Sequence, residues 1–223
     1  MSYGTTVAIA VLLGILIATH FPCVAHSGNR RRRRNGRAKA AIAARAAELV
    51  PDGAALFLND GSTMLALARE LARRPRDLWI ATCGLNIAEL LAREASFEVV
   101  VIGGLLRRSS FGTIGPLATG AVDELHADLA FLGCDGFHPG EGVRSNSVHD
   151  AEVGRAFARH ADATIVLADA SKAGNTARAR AVSWDLVDRL ITDSRDDELE
   201  TALAEQGTEV IRVSVPEPDG TGG

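Results

Sequence analysis

Lysine is almost missing from this 223-residue chain: Lys39 and Lys172 are the only two among 24 Lys and Arg side chains. A lysine in ASKAG therefore stands out against an arginine background. Cysteine is sparse as well. Cys23, Cys83 and Cys134 are widely spaced and have no CxxC or CxxH neighbours, which excludes a disulfide framework or a zinc site and fits a reducing cytoplasm. His126, His138, His149 and His160 lack HxxxH spacing, so metal-assisted hydrolysis is not indicated. Positive charge is not in excess, the formal net charge being -4. A body that grips nucleic acid needs a basic face, so any DNA contact calls for a separate element. What is present, 47% hydrophobic and 23% charged residues, is ordinary for one well-buried soluble domain.

Residues 1–36 differ from everything after them: an apolar run from Val7 to Ala18 leads to an arginine run at Arg30 to Arg34. A signal peptide wants basic residues before its apolar core, and Met1 to Thr6 has none. A membrane span needs about 20 apolar residues, and extending this run brings in His20 and Pro22. Were it to span, the arginines would hold the following domain on the cytoplasmic side. The remaining reading is a misplaced start or frame change in GC-rich DNA, as the Arg-over-Lys and Ala-rich usage suggests. In every case the segment is expected to be atypical, and no helix-turn-helix is recognisable in it.

From Gly36 onward apolar segments alternate between helical and extended periodicity. Helices are expected at 37–50, 64–73, 86–94, 117–126, 151–161 and 197–206, and strands at 54–58, 78–82, 97–102, 129–132, 164–168, 189–192 and 209–213. The strands are apolar without alternation, as in a mostly parallel α/β sheet with helices on both faces. The expected domain is 37–215, with a flexible tail at 216–223. In such a sheet ligands bind beyond the carboxyl ends of the strands. The loops there are NDGST (Asn59 to Thr63), TCGLN (Thr82 to Asn86), GGLLRRSSFGTIGP (Gly103 to Pro116), GCDGFHPGEGVRSNS (Gly133 to Ser147) and DASKAGN (Asp169 to Asn175). Glycine lets backbone approach a ligand, hydroxyls donate to phosphate oxygens, and Arg107, Arg108, Arg144 and Lys172 supply cations. After Leu58 a strand gives way to a tight loop and a helix, whose N-terminus favours an anion. The alternative is that Asp60 or Ser62 merely caps that helix. Five such loops at one sheet edge point to a polyol-phosphate pocket.

Read together, the loops resemble the C-terminal sensor domain of DeoR-family transcriptional repressors, of the fold group of ribose-5-phosphate isomerase and glucosamine-6-phosphate deaminase. The family's DSGTT, TNSLNIA, GGxxR with a later GP, GADGI, EAEVKRA and ADSSKFG stand here as NDGST, TCGLNIA, GGLLR with Gly115 and Pro116, GCDGF, DAEVGRA and ADASKAG, across residues 37–193. The resemblance implies a domain that binds a phosphorylated sugar or related metabolite without a cofactor or metal. It implies further that the domain oligomerises and controls operator DNA through an N-terminal helix-turn-helix. Carried onto this chain, it implies effector contacts at Asp60, Gly61, Ser62, Thr63, Arg107, Asp135, Gly136, Arg144, Glu152, Arg155 and Lys172. Phosphate would be cradled by Asp60 to Thr63 and Lys172, and hydroxyls read by Asp135.

Departures from the pattern are Asn59 for the usual first Asp, Cys83 and Gly84 for Asn-Ser, and Gly154 for a Lys beside Arg155. A lysine on phosphate is worth about 1–3 kcal/mol, so Gly154 is expected to change affinity or ligand identity, with Arg155 or Arg144 compensating. The competing class is a sugar-phosphate isomerase or deaminase, which needs a carboxylate base and a proton-handling partner. Asp135 and Glu152 are its candidates, the alternative for Glu152 being a surface pair with Arg155. A membrane-tethered binding protein is the third class, resting on Val7 to Ala18 alone.

Overall fold

The computed structural model describes residues 35–74 and 76–215. The expectations for residues 1–34 and for the tail at 216–223 lie outside them. Seven segments whose residues are apolar at consecutive positions form one all-parallel sheet: β1 (Ala55–Leu58), β2 (Leu78–Thr82), β3 (Phe97–Val101), β6 (Ala127–Gly133), β9 (Ala161–Leu167), β11 (Arg189–Thr192) and β12 (Glu209–Arg212). Their order is β12-β11-β9-β6-β1-β2-β3. The chain starts in the middle, runs out to β3, then returns to the other side of β1 and runs out to β12. Strand order thus reverses between β1 and β6, where loops leave in opposite directions and open a crevice.

Consecutive apolar residues are needed because both faces are covered. Leu56 and Leu58 enter one buried cluster while Phe57 enters the other, and Ile165 and Leu167 are likewise divided from Val166. The first cluster is closed by α1 (Gly36–Glu48), α2 (Ser62–Leu71) and α3 (Leu85–Leu91). On α1 the residues Ile42, Ala43, Ala46 and Ala47 fall at helical spacing and are all buried. The second cluster takes α4 (Pro116–Asp123), α5 (Val148–Arg159) and α6 (Asp197–Ala204). There Phe157 of α5 stacks on Phe57 with ring centroids 4.8 Å apart. The mostly parallel α/β sheet with helices on both faces is the one expected, with element ends moved by a few residues.

Two expected loops carry sheet of their own. GGLLRRSSFGTIGP contains the hairpin β4 (Leu105–Arg107) and β5 (Gly112–Ile114). GCDGFHPGEGVRSNS contains β7 (Gly136–His138) and β8 (Gly142–Ser145), joined by β10 (Ala179–Val182) into a three-stranded antiparallel sheet. Trp184 anchors that small sheet: its Nε1–H donates to the His138 carbonyl at 2.9 Å and its ring meets Phe137 edge-on. Among the described residues no helix is long and apolar enough to cross a membrane.

Candidate functional site

At the carboxyl end of β1 the chain makes its turn into α2 through Gly61, at φ 119° and ψ 173°, a conformation that only glycine adopts without strain. Neither Asp60 nor Ser62 caps the helix, for α2 has no side-chain cap at all. The first N–H groups of a helix lack intrahelical acceptors, so those of Ser62, Thr63 and Met64 are left as a ready anion site reinforced by the helix dipole. Asn59, just upstream, clamps the reversal point of the sheet. Its Nδ2 donates to the Gly133 carbonyl at 3.0 Å and its Oδ1 accepts from the Gly133 N–H at 2.8 Å, tying the ends of β1 and β6 together. An amide offers a donor and an acceptor at once, whereas the carboxylate of Asp would offer only acceptors.

Gly133 ends β6, and Cys134 and Asp135 follow it. The Asp135 carboxylate accepts from the Asn146 N–H at 2.9 Å. Gly136 opens β7 with the Asn175 carbonyl pressed against its α-carbon, leaving no space for a side chain. Lys172 sits on the short 3-10 turn Ala170–Lys172 after β9, capped by Asp169, whose side chain accepts from the Ser171 N–H. Its ammonium is close to Cys134. Burial pushes the Cys134 thiol up to about 12, partly offset by the Lys172 charge. Among the described residues Lys172 Nζ has no ion-pair or hydrogen-bond partner, in contrast to the buried Lys39 of α1. Asn35 Nδ2 also reaches this turn, donating to Asp169 at 2.7 Å and to Ser171 Oγ at 3.0 Å.

The opposite wall is the β4–β5 hairpin. An ideal Cβ on Gly112 would lie 2.6 Å from Asp60 Oδ2, so only glycine lets the carboxylate rest there. Burial raises the Asp60 pKa above 3.8, the facing Ser110 and the Arg107 charge hold it back, and Asp135 adds to the rise. Cys83 packs beneath, its thiol pushed well up by burial and then by Asp60. Arg107 lies within the field of Asp60 and its Nη1 donates to Asp150 Oδ2 at the start of α5.

The DeoR C-terminal sensor domain model matches residues 34–194, nearly three quarters of the chain. The chain belongs to the DeoR family. It is 34% identical over 162 residues to the HTH-type transcriptional regulator GolR of Listeria innocua, covering 73% of this chain and 63% of that protein. It is 31% identical over 170 residues to the glycerol-3-phosphate regulon repressor of Haemophilus influenzae, covering 76% and 66%. The match spans just under two thirds of those relatives' length. Among solved structures, eIF2B beta from Chaetomium thermophilum superposes with a TM-score of 0.52 at 13% identity, over 77% of this chain and 54% of that one, a likeness of fold.

Within this DeoR sensor domain, the residues expected at the site fall into two sets. Asp60 to Thr63, Asp135, Gly136 and Lys172 converge on the ends of β1, β6 and β9, and Arg107 faces them from the hairpin. The others have different occupations. Arg144 donates to the Ala177 carbonyl at 2.7 Å and pairs with Glu141 at 3.1 Å. Arg155 donates to the carbonyls of Ala181 and Arg180, fastening α5 to β10. Glu152 pairs with His149 at 3.0 Å on the half-exposed side of α5, so its neighbour is not Arg155. Gly154 is buried at the α5–β10 contact, where an added Cβ would come 4.0 Å from the Ala181 Cβ.

Sequence reasoning passed over Asp150, which stands at the first Glu of the DeoR family's EAEVKRA, and Ser110 of the hairpin. The signal for Asp150 was its helical spacing of four and seven residues from Gly154 and Phe157, the inward stripe of α5. Among the described residues no cluster of His, Cys, Asp and Glu could hold a metal ion.

Proposed function

We propose that this chain is the effector-binding part of a DeoR-family transcriptional repressor, and that its effector is a phosphorylated sugar or polyol. The phosphate sits on the N–H groups of Ser62, Thr63 and Met64 with Lys172 as counter-charge, and Asp135 accepts from ligand hydroxyls. One observation carries this reading: an uncapped helix N-terminus at the reversal point of a parallel sheet, with an unpaired lysine on the turn that follows β9, the strand on the far side of β6. One relative, the glycerol-3-phosphate regulon repressor of Haemophilus influenzae, carries a name that agrees with that ligand class. The domain binds without turnover, works in the cytoplasm as a homo-oligomer, and reaches operator DNA through a separate N-terminal reader.

The test is thermal unfolding of the full chain against a panel of sugar and polyol phosphates. A ligand at a hundred times its Kd adds about 2.7 kcal/mol, which for a domain of this size raises Tm by several degrees, at about 2–4 °C per kcal/mol. At least one panel member is expected to do so, and Lys172→Ala to abolish the shift. A flat panel contradicts the pocket, and an unchanged shift in Lys172→Ala puts the phosphate elsewhere.

A further inference from the structure

Buried oxygen atoms that accept no hydrogen bond are costly, about 1–3 kcal/mol each, and are rare without a reason. Among the described residues three side-chain oxygens are in this condition: Asn86 Oδ1, Ser110 Oγ and Asp150 Oδ1. All three belong to one neighbourhood. Ser110 lies at the tip of the β4–β5 hairpin and faces Asp60. Asp150 meets the same hairpin through Arg107, which takes only its Oδ2. Asn86 follows Leu85, whose N–H donates to the carbonyl of Phe111 in that hairpin at 2.9 Å.

The Arg107–Asp150 pair is hard to read as a surface ion pair. Its side chains are only 24% and 13% exposed, and Asp150 offers one oxygen to the arginine while keeping the other free. An Arg fork meets a carboxylate with two parallel hydrogen bonds when binding it is the sole purpose. Here the guanidinium fixes the carboxyl plane and leaves Oδ1 as a directed acceptor. Asp150 Oδ1, an acceptor with no donor, calls for a ligand rich in O–H groups, a role the acceptor oxygens of a phosphate dianion cannot fill, while the Ser110 hydroxyl can both donate and accept.

We infer that the β4–β5 hairpin and the start of α5 form a second, hydroxyl-reading pole of the site, with Asp150 and Ser110 as specificity-determining residues for the polyol part of the ligand. This rests on the proposed binding of phosphate at α2. It divides the labour across the crevice: α2 and Lys172 take the phosphate, while the hairpin wall takes hydroxyls and so separates polyol phosphates from simple phosphate esters.

The experiment compares affinities of the full chain for sn-glycerol 3-phosphate and ribose 5-phosphate with those for propyl phosphate and inorganic phosphate, in wild type, Asp150→Asn and Ser110→Ala. In Asp150→Asn the amide turns its oxygen to Arg107 and its NH₂ to the ligand, a donor where an acceptor is needed. The advantage of at least one polyol phosphate over propyl phosphate should shrink about tenfold in Asp150→Asn. In Ser110→Ala, which leaves the ion pair untouched, it should shrink by a few-fold. Binding of propyl phosphate and inorganic phosphate should hold. An advantage that survives both substitutions overturns this inference while leaving the phosphate site standing. If no phosphorylated probe binds the wild type, the phosphate site falls and the inference with it. Circular dichroism checks the folding of each variant, and Ser110→Ala alone suffices should Asp150→Asn unfold.

Discussion

Asn59 holds the reversal point of the sheet with one side-chain amide, donating to and accepting from the same residue on β6. Asn59→Asp keeps the acceptor for the Gly133 N–H but sets a second carboxylate oxygen against the Gly133 carbonyl. We expect a loss of about 1–3 kcal/mol, read from the urea midpoint. Asp60 is the companion case. Its carboxyl titrates above the ordinary 3.8 because burial penalises the charged form. The folded state therefore binds that proton more tightly than the unfolded chain, and stability falls as pH rises between 3.8 and the raised folded value. Over that window wild type should gain stability on acidification relative to Asp60→Asn. Parallel Tm-versus-pH curves for the two proteins would contradict the assignment. Sequence could place Asp60 at the site, since it adjoins a glycine and a helix start. It points to Glu152 and passes over Asp150, a carboxylate two residues away. That choice depends on how α5 is rotated against the hairpin, which is a matter of tertiary packing.

Long apolar strands and helices of ten residues or more were legible because their periodicity is imposed by burial on two faces. The hairpins were not. Leu105–Arg107 and Gly142–Ser145 are strands of three and four residues that carry glycine, arginine and serine, so neither hydrophobic alternation nor propensity marks them. What sets them is contact: β5 exists where Thr113 donates from its N–H to the Cys83 carbonyl at 2.8 Å and Gly112 passes over Asp60. Gly112→Ala tests this dependence directly. The added methyl collides with the Asp60 carboxylate, and either the hairpin or the carboxylate must move. A destabilisation of about 1–3 kcal/mol is expected, partly restored by Asp60→Gly on the same chain. Additive losses in the double variant would show that the two residues do not meet.

Across the whole molecule, function depends on where the strand order turns. β1 lies beside the central strand β6, and α2 starts from its carboxyl end. This puts a helix dipole, a lysine loop and a polar hairpin around one crevice, though their segments are spread along the chain from Ser62 to Lys172. The family motifs made these segments recognisable one by one, and the topology explains why they occur together. The central claim is that this crevice receives a phosphorylated polyol at the start of α2. Its most direct test is a ¹H–¹⁵N correlation spectrum of the full chain, titrated with the panel member that raises Tm most. The amides of Gly61 to Met64 should shift furthest, with those of Gly133 to Gly136 and Lys172 following, and Lys172→Ala should flatten the response. Shifts confined to the far side of the sheet, or no shift at residues 61–64 under saturating ligand, would contradict it.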